Sequence, residues 1–78
     1  MPNATEILDR YFLEMRWRCL SLAADLDRIS RAAGGEELVK SDPRIGKLNE
    51  AIGVLTQGSA DRAKRVQTIF SDKTPPPR

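Results

Sequence analysis

The chain has 78 residues, 40% hydrophobic, 31% charged and 5% aromatic, enough polypeptide for one domain and too little for two. It contains no histidine and one cysteine, which excludes an intramolecular disulfide, Cys/His zinc sites, imidazole general bases and the Glu-x-x-His motif of carboxylate-bridged di-iron bundles. The formal charge of +2 is uneven: residues 3 to 33 sum to zero, 34 to 58 to −1 and 59 to 78 to +3.

The first predicted element is a long helix over residues 4 to 33. Asn3 with Glu6 three residues on makes a capping box, and Gly34-Gly35 supplies a stop that tolerates the left-handed region. Positions 8, 12, 15, 19, 22, 26, 29 and 33 step by alternating fours and threes and are all apolar: Leu8, Phe12, Met15, Cys19, Leu22, Leu26, Ile29 and Ala33. At this hydrophobic content such a run arises by chance in about one register in a thousand, so it marks a heptad seam. A second stripe, Leu13, Trp17, Leu20 and Ala24, lies well over 90° around the same helix. A surface helix needs one apolar face, so the second one predicts cover by another element or another chain.

Residues 34 to 42 read as a connecting loop. Asp42-Pro43 then supplies an N-cap followed by proline at the first helical position, opening a helix over 43 to 57. Its predicted inner face is Ile45, Leu48, Ile52 and Leu55, broadened by Ala51 and Val54, returning antiparallel along the first helix. Gly46 and Gly53, seven residues apart, leave one side of it low enough for another helix to approach. Gly58-Ser59 predicts a break, with Ser59 capping a third helix over 59 to 70 that carries Ala63, Val66 and Phe70. Residues 72 to 78 bring three prolines and no apolar anchor, the composition of a disordered tail.

The chemical candidates resolve into structural roles. Cys19 occupies an a-type seam position and is expected to be buried packing, not a reactive thiol. Glu6 with Arg10, Glu14 with Arg18, Asp27 with Arg31 and Asp61 with Arg65 are i,i+4 pairs with the acid first, the pattern of a solvated helix face and not of a metal or acid/base site. No catalytic, metal-ligating or cofactor-binding residue is expected. The start of the chain lacks a basic and apolar leader, and no stretch reaches the length of a membrane span, so the expectation is a cytoplasmic protein.

The fold expected is therefore all-α: one helical domain over residues 1 to 71, a helical hairpin plus a short third helix, completed to a four-helix arrangement as a homodimer. The function expected is a non-enzymatic interaction module whose protein interface comprises Leu13, Trp17, Leu20, Ala24, Gly46 and Gly53, facing a second copy or a heterologous protein. The alternative is a nucleic-acid-associated protein contacting phosphates through Arg62, Lys64, Arg65, Lys73 and Arg78, although +3 over twenty residues is modest for a committed binder.

Overall fold

The structure is a computed structural model that describes residues 1 to 58 and 60 to 71. It holds four helices, α1 (Ala4–Arg31), α2 (Gly35–Ser41), α3 (Pro43–Thr56) and α4 (Arg62–Phe70), and no strand among the described residues. The chain divides into two compact units, Met1–Leu38 and Val39–Arg78.

The first unit is essentially α1. Its start is locked as the sequence predicts: the Glu6 amide donates to Asn3 Oδ1 at 2.9 Å and the Asn3 amide to Glu6 Oε1 at 3.3 Å. The helix stops at Arg31, two residues short of the predicted end, because Ala32 turns extended and its N–H closes back on the Ile29 carbonyl. Gly34 then takes φ 77°, a conformation that costs an L side chain about 1 kcal/mol or more. Gly35 is buried against the Ile29 carbonyl, where a Cβ would collide with backbone. The predicted loop is thereby corrected: residues 35 to 41 form α2, with Glu36 and Glu37 in its first turn and Lys40 in its last, each charge matched to the helix dipole.

The second unit is built on α3 and α4, which pack on each other. Asp42 caps α3 by accepting the Arg44 amide at 2.8 Å, and Pro43 sits at the first turn as predicted. The core here is Ile45, Ala51 and Val54, with Leu48 half-buried, whereas Ile52 and Leu55 are exposed. The predicted inner face is thus rotated, because α4 lies along the side of α3 that carries Glu50 and Val54. The break between α3 and α4 is real, but α4 opens at Arg62. Asp61 precedes it in the left-handed region (φ 65°, ψ 29°) and makes no side-chain cap. Ser59, the predicted cap, and the tail 72 to 78 lie outside the described residues.

Candidate functional site: the apolar faces of α1

Helix α1 is 28 residues long, about 42 Å, and none of its residues is buried. Trp17 is 65% exposed and Leu13 67%. The two belong to the predicted second stripe. Trp17, Leu20 and Ala24, with Ser21, Asp25 and Arg28, line a shallow open groove of about 470 Å³. Leu13 continues the apolar surface one turn toward the N-terminus.

The heptad seam lies open as well. Leu8 and Phe12 are each 52% exposed, Met15 46%, and Cys19 is exposed with its thiol free, so the expectation of a buried cysteine is corrected. Further along, Leu22, Leu26 and Ile29 are half-buried. The physical reason is that the first unit offers α1 no second layer, and a lone helix cannot bury a stripe in itself. Between the apolar faces run exposed ion pairs, Glu14–Arg18 at 2.9 Å, Asp25–Arg28 at 2.6 Å and Asp27–Arg31 at 3.8 Å. They hold the helix without lending it chemistry.

Gly46 and Gly53 lie on α3, in the other unit. A Cβ built on either meets nothing within 4 Å, so both sit beside open space. Sequence reasoning did not find the open cleft of about 490 Å³ between α3 and α4, lined by Val54, Ala60 and Ile69 among apolar groups and Glu50, Lys64 and Arg65 among charged ones. Of the predicted α4 residues, Val66 is half-buried and Ala63 and Phe70 are exposed, while Ile69, outside the predicted stripe, is half-buried and lines the cleft.

The basic residues of the alternative reading have local work. Arg62 donates from Nε and Nη2 to the Gln57 carbonyl at 3.1 and 2.7 Å, and Arg65 Nη2 donates to Gln57 Oε1 at 2.6 Å. Both side chains therefore fasten α4 to the end of α3. Lys64 lines the cleft, and Lys73 and Arg78 lie outside the described residues.

The one perturbed carboxylate among the described residues is Asp42. The Arg44 guanidinium grips both of its oxygens at 3.0 Å and the Arg44 amide adds a third bond, which lowers its pKa from 3.8 to about 2. Asp42 thus acts as the cap of α3. No cluster of potential metal ligands exists among the described residues, and no described helix is long and apolar enough to cross a membrane. Comparison of the chain with family models, with curated proteins and with solved structures finds no match in any of the three.

Proposed function

We propose that the chain is a small, non-enzymatic interaction module of the cytoplasm that works by burying the apolar faces of α1 against other helices, as a homodimer completing a four-helix arrangement. The observation that carries this reading is a 28-residue helix bearing two apolar faces in which no residue is buried and every residue from 4 to 21 is exposed. Full burial of one large side chain is worth about 1.5 to 3 kcal/mol, so covering Leu13, Trp17 and Leu20 alone supplies several kcal/mol toward association. The seam takes one neighbour and the Trp17 stripe another. With no matched family to suggest a partner, the chemistry of the surface is the guide: a long, mostly aliphatic face edged by arginines and carboxylates, suited to another amphipathic helix.

The test is sedimentation of the purified chain from low to high micromolar concentration, read together with collisional quenching of Trp17. The expected result is a dimer or larger species in which Trp17 becomes protected as it assembles. Trp17→Glu reduces the assembly, because a carboxylate cannot be desolvated there without a partner. A chain that stays monomeric with Trp17 freely quenched at every concentration overturns the homodimer.

A further inference from the structure

We infer that the N-terminal part of α1 pairs with the same stretch of a second copy of this chain, antiparallel, with Asp9 of each copy facing the partner's Arg16. The inference rests on the self-association proposed above and gives the polarity and register of one of its two contacts, the one made by the seam, leaving the Trp17 stripe to the other neighbour.

Three observations converge. Every residue from 4 to 21 is exposed, whereas Leu22, Leu26 and Ile29 are half-buried, so the free part of the seam is Leu8, Phe12, Met15 and Cys19. In heptad terms these four occupy a and d, and the flanking e and g positions carry Asp9 and Arg16 on one side and Tyr11 and Arg18 on the other. Finally, Asp9 and Arg16 enter none of the ion pairs of α1, in which Arg18, Arg28 and Arg31 are engaged. Seven residues apart on one side, about 10 Å, they cannot reach each other along the helix.

An antiparallel copy closes that gap. Centred between Phe12 and Met15, it sets Leu8 against the partner's Cys19 and Phe12 against the partner's Met15, and each contact occurs twice by symmetry. Asp9 then faces the partner's Arg16 on one flank, and Tyr11 meets the partner's Arg18 guanidinium on the other. Neighbouring registers do worse. One heptad step toward the N-terminus opposes Asp9 to itself. One step the other way opposes Arg16 to Arg16 and Arg18 to Arg18. The next step matches Arg18 with Asp25 but requires the half-buried Leu22, Leu26 and Ile29. A parallel pair in register brings Ala4 beside Asp9 and Tyr11 beside Arg16, leaving both charges without a counterion. Service to the helix dipole does not account for Arg16, which sits mid-helix, beyond the terminal turns where that field acts.

The experiment uses the full chain and two charge reversals, Asp9→Arg and Arg16→Asp. Neither breaks an existing ion pair, and circular dichroism checks that each variant keeps its helix. Sedimentation should show that each reversal alone weakens the dimer about tenfold, since like charges now face each other twice. An equimolar mixture of the two variants should recover the native dimer as a heterodimer, because both flanking contacts are again between opposite charges. Cys19 should react quickly with a thiol reagent in dilute native chain and slowly in the dimer. A native dimer whose two reversals are silent, or whose mixture shows no recovery, overturns the register while leaving self-association intact. A native chain that is monomeric overturns both.

Discussion

Helix α1 carries the most regular apolar pattern in the chain and fully buries none of its residues, whereas α3, with a shorter and less regular pattern, contributes Ile45, Ala51 and Val54 to the only core among the described residues. The contrast shows what periodicity measures. It identifies residues that share a side of a helix, and says nothing about whether the chain itself provides the cover. In the second unit, Arg62 and Arg65 draw α4 onto α3 through Gln57, so a modest stripe is enough. In the first unit no such second layer exists, and a strong stripe stays on the surface.

The contrast is most sharply broken by Val54→Asp. Placing an uncompensated carboxylate at a site only 6% exposed should cost about 3 kcal/mol or more and melt the α3–α4 pair. Circular dichroism should then lose the contribution of α3 and α4, 14 and 9 residues, and keep that of α1. Loss of the whole signal in one step would instead show a single cooperative unit. Gly35→Ala is next: the new methyl meets the Ile29 carbonyl, the turn after α1 has to shift, and thermal unfolding should report a loss of about 1 to 3 kcal/mol. Asn3→Ala removes the capping box and should cost about 1 kcal/mol, visible as faster amide exchange confined to the first turns of α1.

The smallest effect belongs to α3 and depends on pH. The pKa of Asp42 is lower in the folded chain than in the unfolded one, so its contribution is complete above about 4, falls as pH drops through the folded value of about 2, and is absent in more acid solution. Stability of the second unit should therefore decline between pH 4 and 2, and Asp42→Asn should flatten that part of the decline. An unchanged acid profile in the variant would show that other carboxylates set it.

Local chemistry was the legible part of this fold. The Asn3/Glu6 box and the Asp42-Pro43 start are written in adjacent residues, and both helices begin where those residues say. Helix α2 was hidden because a glycine pair reads as a stop, and a seven-residue helix has too few turns to show a period. The start of α4 was hidden because Ser59 and Asp61 are both N-cap residue types, and the left-handed backbone that places Asp61 before the helix without a side-chain cap is not written in residue type. At the candidate site, the membership of the Trp17 stripe was legible, since it is a matter of spacing. The exposure of Cys19 was not, because burial depends on a neighbour that no single-helix pattern encodes.

The capping box at Asn3 and the three side-chain ion pairs along α1 have a kinetic consequence. A 28-residue helix closed at its start and braced along its surface is well beyond the roughly 12 to 15 residues at which isolated helices are marginal, so it keeps its shape while its faces are still wet. A partner of the kind proposed would then meet a finished rod and pay no backbone-ordering entropy on contact, unlike segments that fold as they bind. Encounter should be limited by orientation, with association rates of about 10⁵ to 10⁷ M⁻¹s⁻¹, and substitutions along α1 should act mainly on how long the complex lasts.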